Sequence, residues 1–372
     1  MSLSYLIWNG SPEIVKIGIV SLRWYGVLFA LGFLISQQLL YYIHRKEGKP
    51  EKDVDTLTIY MVVATILGAR LGHVIFYQPE MLWQNPLEVL LPFTFEPSFR
   101  VTGYLGLASH GGAVGILFAL WLYSRKNKPG QSYLQVLDRI VILVAITGAL
   151  IRTGNFFNSE ILGRPTDSPL GVAFVNRVTE VFEQDTDKTL DMVSIRKNPD
   201  AAPAPYGRKP ILIYLFFKPG TSAPSAHAYV TSYAQWYISK MNEFIDRTGD
   251  AFLDYRIFEE KEGQPVAVIK TYAIARHPAQ LYEAISCVLL FLLLLWMWWK
   301  HKENTPPGLL FGWFMVILWS LRFFYEFLKE NQVDFESNLP LNMGQLLSIP
   351  LALVGVAILW QVYRRKNTVT EN

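Results

Sequence analysis

Residues 133–151 read YLQVLDRIVILVAITGALI, and the chain runs straight on into RTGNFFNSEILGRP at 152–165. A helix that crosses a bilayer needs about 20 mostly apolar residues, and the first stretch supplies them. Its continuation is opposite in character. Arg152, Asn155, Asn158 and Glu160 place four polar groups within nine residues at the end of an apolar run. A loop in water accommodates such groups cheaply; a site for a charged lipid headgroup gives them a purpose.

Working outward, six more stretches have the same character, at 22–43, 56–77, 104–123, 279–299, 308–328 and 343–363. The chain has 372 residues, 51% hydrophobic and only 17% charged, below the roughly 25% charge of a soluble domain. The expected fold class is therefore an all-α polytopic membrane protein with seven transmembrane helices. The stretch at 22–43 does not read as a signal peptide, because it starts late, lacks a basic leader and shows no clear small-x-small cleavage site. The connections after the first, third, fifth and seventh stretches hold twelve Lys and Arg, whereas 78–103 and 329–342 hold only Arg100 and Lys329. Basic loops stay in the cytoplasm, so the N-terminus is expected outside and the C-terminus inside. A net charge of +3 gives no reason to expect a nucleic-acid partner. The single cysteine, Cys287, allows no internal disulfide, and in SCVLLFLLLL it reads as a packing residue rather than a reactive thiol.

Residues 175–275 break the pattern and divide the chain into 1–174 (spans one to four), 175–275 (an inserted extracytoplasmic α+β domain) and 276–372 (spans five to seven). PILIYLFF (210–217) and VAVIKTYAIA (266–275) read as strands, and KEGQ (261–264) as the hairpin turn after DYRIFEE. AHAYVTSYAQWYISKMNEFIDRTG (226–249) reads as a helix, since Tyr229, Tyr233, Trp236, Tyr237 and Met241 recur near every 3.6 residues. Residues 196–210 read as an extended linker. Gly68-x-x-x-Gly72 and Gly111-x-x-x-Gly115 read as close helix packing.

A charge at the centre of a span costs about 2.5–3.5 kcal/mol on insertion scales, so Arg70, His110, Arg152, Arg322 and Glu326 need explanation. Arg322 and Glu326 lie four residues apart on one helix face and suit an ion pair. By topology, His110, Arg152 and Arg322 fall toward the outer half of the bundle. RHPAQLYE (276–283) opens the fifth span with further polar groups. There is no His-x-x-x-His and no cysteine pair, so no metal site and no cofactor is expected. Nor is there a Gly-x-Ser-x-Gly elbow. Guanidinium forks match phosphate oxygens. An anion transporter and an enzyme acting on a phospholipid would use the same arginines, and the residues alone leave both open. The lack of an internal repeat counts against the transporter.

Taken together, RWYG (23–26), GARLGHVIFY (68–77), SHGG (109–112), RTGNFFNSEILGRP (152–165), RHPAQLYE, LRFFYEF (321–327) and LNMGQLLSIP (341–350) resemble, in order, the motifs of the prolipoprotein diacylglyceryl transferase family of bacterial inner membranes. The resemblance implies transfer of diacylglyceryl from phosphatidylglycerol to the lipobox cysteine in a prolipoprotein signal peptide. A thioether forms and glycerol phosphate leaves, on the extracytoplasmic side of a multi-pass protein. It implies catalytic roles for His110, Arg152 and Arg322, with His110 the base for the substrate thiol. Tyr25, Arg152, Asn155, Glu160, Gly163, Tyr282, Glu283 and Glu326 would bind substrate, Glu326 being set against Arg322. Two departures stand out: Ile151 where the family usually has Gly, and Trp319-Ser320 where it commonly has Tyr-Gly. They keep open the alternative of an inactive lipid-binding relative. The family's connection at 175–275 is expected to be short, unlike the one here.

Overall fold

The computed structural model describes residues 5–17, 20–86, 89, 93–94, 100–101, 108–184, 189–246, 253–259, 263–330 and 340–370. They form two compact units. The first comprises Met1–Leu31, Gly148–Cys287 and Ser320–Ile349; the second comprises Gly32–Thr147, Val288–Trp319 and Pro350–Asn372.

The long helices are α1 (Trp24–Lys46), α2 (Lys52–Tyr77), α3 (Ser109–Ser124) and α4 (Tyr133–Phe157). The first unit adds short α5 (Asn176–Glu183), α6 (Ala223–Tyr229) and α7 (Gln235–Lys240), and the chain closes with α8 (Ala279–His301), α9 (Leu309–Glu326) and α10 (Met343–Thr370). Six of these are long and apolar enough to cross a membrane. In lipid only a helix or a closed barrel satisfies its own backbone. The remaining expected span, 104–123, is helical over Ser109–Ser124, 16 residues, or about 24 Å. It starts late because Ala108 is extended and donates its N–H to the Ala69 carbonyl, 2.9 Å. Residues 104–107 lie outside the described part of the chain.

In the second unit, local sequence explains the sharp features. Gly48 takes φ +65° and ends α1 with two backbone bonds, Lys49 N–H to His44 O at 2.8 Å and Gly48 N–H to Arg45 O at 3.3 Å. That is the Schellman arrangement. The two glycine pairs meet where α2 crosses α3: a Cβ on Gly72 would lie 2.7 Å from Gly111 Cα. Arg70, inside α2, donates from Nε to the Val89 carbonyl at 3.2 Å, a structural tie. Asp138, fully buried in α4, accepts from the N–H groups of Gly308 (2.7 Å) and Phe311 (2.8 Å). It thereby satisfies two of the free donors that open α9. Its neighbour Arg139 pairs with Glu47 at 2.8 Å.

The described strands are β1 (Leu6–Trp8), β2 (Glu13–Ile17), β3 (Val20–Arg23), β4 (Phe93–Thr94), β5 (Arg100–Val101), β6 (Val172–Phe174), β7 (Leu190–Lys197), β8 (Arg208–Phe217), β9 (Ile245–Asp246), β10 (Asp254–Glu259) and β11 (Pro265–Arg276). Seven belong to one sheet in the first unit, ordered β1-β6-β11-β8-β7, with β9 and β10 also on β11. Ile211, Ile213, Leu215 and Phe217 alternate along β8 and are fully buried, as a strand with one covered face requires. Val178 and Phe182 of α5 and the inner side of α6–α7 complete that core. Inward residues Ala226, Val230, Ala234 and Ile238 recur every four positions, wider than the 3.6 of an α-helix. A π turn at Val230–Ala234 supplies the underwinding.

The expected strands appear at β8 and β11, and β10 pairs antiparallel with β11 from Glu259↔Pro265 onward, with 260–262 outside the described residues. Three details differ from expectation. The sheet recruits Val172–Phe174 and Leu6–Trp8, outside 175–275, because β11 runs on to Arg276 and pairs with β6, whose other edge takes β1. The helix expected over 226–249 stops at Lys240, since Ile245–Asp246 joins the sheet. Residues 196–210 are not a free linker: β7 and β8 claim both ends. Asp167 holds the loop between by accepting from the N–H groups of Tyr206 and Gly207, 3.0 Å each. Those bonds keep the Asp167 carboxyl below its usual pKa.

Candidate active site

The last turns of α4 carry Arg152 and Asn155 in the first unit, and Asn158 follows directly. Past Phe157 the helix ends in a tight turn: Asn158 N–H reaches Gly154 O (3.1 Å) and Glu160 N–H reaches Asn155 O (3.0 Å). Ser159 and Ile161 both take positive φ, 51° and 56°, a strained choice for a β-branched residue. Buried Ser159 donates to Asn176 Oδ1 at 2.5 Å, and Asn176 donates to the Phe157 carbonyl at 3.2 Å, which fixes the turn.

Gly163 then passes through a gap with no room for a side chain. A Cβ there would stand 2.6 Å from His277 Cβ and 2.9 Å from the Leu328 carbonyl oxygen. Its N–H donates to His277 O at 3.0 Å, and Arg164 donates from N–H to Leu328 O (2.7 Å) and from Nε to Lys329 O (2.8 Å). Arg276, buried, donates to Gly163 O at 3.1 Å and pairs with Glu330 at 2.8 Å. The signature loop is thus laced to the start of α8 and to the segment after α9.

Those connections assemble a line of alternating charge. Arg152 pairs through Nε with Glu283; the other Glu283 oxygen meets Lys329 Nζ. Lys329 Nζ lies 3.2 Å from Glu326 Oε1, and Arg322 Nη2 lies 3.6 Å from the same oxygen. Asn342 donates to the second Glu326 oxygen at 3.3 Å. Arg152 Nη1 also donates to Asn155 Oδ1 (3.4 Å), and Asn155 and Asn158 each donate to Glu160 at 3.3 Å. Gln280 donates to the Glu160 carbonyl at 2.5 Å. The two arginine side chains at the ends are 22% and 36% exposed, whereas Lys329 in the middle is 3% exposed. Each arginine is held by one glutamate and keeps donors for an outside anion.

Of the candidate residues, Arg152, Asn155, Glu160, Glu283, Arg322 and Glu326 fall in this one network. Tyr25 opens α1 in the same unit and packs on Gly154, where a Cβ would lie 2.9 Å from its ring. Tyr282, beside Glu283, meets His277 Nδ1 at 3.3 Å, and burial pushes the His277 pKa below its ordinary value. His110 belongs to the second unit, exposed at the start of α3, edge-on to Phe76 with ring centroids 5.8 Å apart. Cys287 is buried against Gly148, where a Cβ would meet its sulfur at 3.5 Å. Sequence reading noted Gln280 only as a polar residue opening the fifth span and gave no site role to it, Lys329 or Asn342. Lys329 was counted as a loop charge, although its place three residues past Glu326 was a usable signal.

A family model described as Prolipoprotein diacylglyceryl transferase matches residues 12–361. Relatives named Phosphatidylglycerol--prolipoprotein diacylglyceryl transferase include one from Bacteroides fragilis, 32% identical over 364 residues, covering 97% of this chain and 96% of the relative. One from Chloroherpeton thalassium is 32% identical over 358 residues, covering 96% and 94%. One from Tolumonas auensis is 30% identical over 354 residues, covering 95% and 96%. These relatives are close to this chain in length, so the long 175–275 segment does not set it apart from them, contrary to the expectation of a short connection.

Proposed function

We infer the reaction from one premise: this chain belongs to the prolipoprotein diacylglyceryl transferase family. It is a transferase that moves the diacylglyceryl group of phosphatidylglycerol onto a prolipoprotein, the first step of lipoprotein maturation. The acceptor is the lipobox cysteine of the signal peptide. Its sulfur forms a bond to the glyceryl carbon while the bond from that carbon to the phosphate oxygen breaks. The electron pair leaves with glycerol phosphate, and the thiol proton goes to a base. The observation that carries this reading is the line Arg152–Glu283–Lys329–Glu326–Arg322, a polar network joining three helix ends.

The chemistry distributes over the residues as follows. A free thiol has a pKa of about 8.5 and is only a few per cent ionised at neutral pH, so a base helps; His110 takes that role by its chemistry. The departing phosphate gains negative charge, and fixed cations stabilise it without reorganising. Arg152 grips the phosphate, Arg322 adds a second guanidinium, and Glu283 and Glu326 aim them. Lys329 is a positioning residue: it keeps two glutamates from repelling each other. Asn155 ties Arg152 to Glu160, Gly163 allows the loop its close approach, and Tyr25 and Tyr282 line the substrate side. The nucleophile arrives with the substrate, so Cys287 needs no reactivity.

We place the chain in the bacterial inner membrane with seven spans, N-terminus outside and active site toward the extracytoplasmic half, on the basis of the loop charges. The 175–275 segment then lies outside, where it guides the prolipoprotein. Incubating the purified protein with phosphatidylglycerol micelles and a lipobox peptide tests the reaction. Label from the diacylglyceryl group should enter the cysteine peptide and not its serine version, and His110→Ala should abolish incorporation while remaining folded. Lipid binding without transfer by the parent would overturn the enzyme reading.

A further inference from the structure

Two amide oxygens in the first unit are buried and accept no hydrogen bond among the described residues: Oδ1 of Asn158 and Oε1 of Gln280. Asn158 is 8% exposed and Gln280 1%. Neither belongs to the line of charge from Arg152 to Arg322.

Their partners fix which amide atom is left over. Asn158 donates from Nδ2 to the Glu160 carboxylate at 3.3 Å, and Gln280 donates from Nε2 to the Glu160 carbonyl at 2.5 Å. An ionised carboxylate and a carbonyl only accept. Each NH2 group must therefore face Glu160, and each amide oxygen remains an acceptor in want of a donor.

A buried acceptor left unpaired is costly, and native folds carry few of them. Two around one residue point to a ligand that brings hydrogens. Glu160 itself is exposed, so the pair lies just inside the surface. The ligand must also suit Arg152, which donates to Asn155 Oδ1 at 3.4 Å, while Asn155 donates to Glu160 at 3.3 Å. A phosphate held by Arg152 thus stands two links along this chain of bonds from Glu160. Two acceptors on separate side chains match two hydroxyls on adjacent carbons. A single ammonium matches them less well, and Arg152 would repel it.

We propose that Asn158 and Gln280 accept hydrogen bonds from the two headgroup hydroxyls of phosphatidylglycerol, and thereby select that lipid over anionic phospholipids without them. The proposal rests on the transfer reading and adds to it the residues that discriminate the headgroup. A site built to bond a hydroxyl rejects the analogue lacking it, because its buried polar groups then stay unpaired.

The test compares phosphatidylglycerol with phosphatidylpropanol of the same chains. Both carry one phosphodiester charge, and they differ only in the headgroup hydroxyls. Full-length protein in neutral detergent is assayed with each lipid for transfer to a lipobox peptide. The lipid it retains from an equal mixture is counted by native mass spectrometry. In the parent, kcat/KM should favour phosphatidylglycerol by about a hundredfold or more. Asn158→Leu and Gln280→Met each remove one oxygen at nearly constant shape, and each should cut that ratio about tenfold. The double variant should bring it near one, whatever loss of rate the two lipids share. A merely structural role would slow both lipids alike and leave the ratio where it was. Equal use or equal retention of the two lipids by the parent overturns the proposal, as does a parent-like ratio in the double variant. If the double variant does not fold, a parent-like ratio in both singles overturns it equally. Transfer from neither lipid by the parent overturns the reaction instead, and retention then decides the headgroup preference.

Discussion

Lys329 sits between Glu283 and Glu326 with almost no access to water. Removing one partner of a buried ion pair strands the other and costs about 3–5 kcal/mol. Lys329→Met should therefore lower both the melting temperature in detergent and the transfer rate. Lys329→Arg, which restores the charge, should recover most of the stability. If Lys329→Met transferred lipid like the parent, its positioning role would be lost. Gly163→Ala is a second test at this scale: the methyl meets His277 and a backbone oxygen, and overpacking of this kind costs about 1–3 kcal/mol. A thermal melt within a degree of the parent's would contradict the close approach. The contrast between these residues shows what sequence carries. Arg322 and Glu326 could be paired from their spacing on one helix, whereas Lys329 follows the helix and is positioned by the bridge between Gly163 and Lys329, a contact no local pattern announces.

Among the elements, α2 and α3 depend on backbone contact. Gly72→Val places branched carbon where Gly111 Cα already stands, and the crossing must open. A melting point lowered by several degrees, with transfer lost in proportion to unfolded protein, is the expected outcome; an unchanged melt would mean the helices do not approach this closely. Asp138→Ala leaves the Gly308 and Phe311 N–H groups uncapped, and should cost about 1–2 kcal/mol, read as earlier unfolding in a detergent titration. The glycine spacings and the long apolar runs were legible because their periodicity is local. The cap was not, because Asp138 lies in one helix and its donors lie 170 residues further on in another. The π turn was equally hidden: the aromatic spacing in 229–241 suits an ordinary helix, and only the buried face at every fourth residue demands the wider turn.

At the scale of the molecule, charge buried at one end of the second unit makes stability depend on pH. Burial alone would raise the Glu47 carboxyl, yet Arg139, Lys49 and Trp298 outweigh it and hold the pKa below its ordinary value. A lowered carboxylate stabilises the fold above its ordinary pKa, and that contribution is lost as pH falls through the folded value. Melting temperature should therefore drop below about pH 4, and Glu47→Gln, less stable at pH 7, should flatten that drop. An acid limb of the same steepness in both proteins would remove Glu47 as its source. The mostly helical, many-span character was readable from hydropathy. The sheet's reach to Leu6–Trp8 was not, since three residues near the chain start carry no signal until β6 offers an edge.

The central claim is that Arg152 holds the phosphate that leaves during transfer. The most direct measurement is the rate of diacylglyceryl transfer from labelled phosphatidylglycerol to a lipobox peptide by the parent and by Arg152→Ala, both verified as folded. The account predicts activity in the parent and a loss of about a hundredfold or more in the variant, the scale of removing one preorganised charge-stabilising group. Transfer by Arg152→Ala at the parent's rate would contradict it.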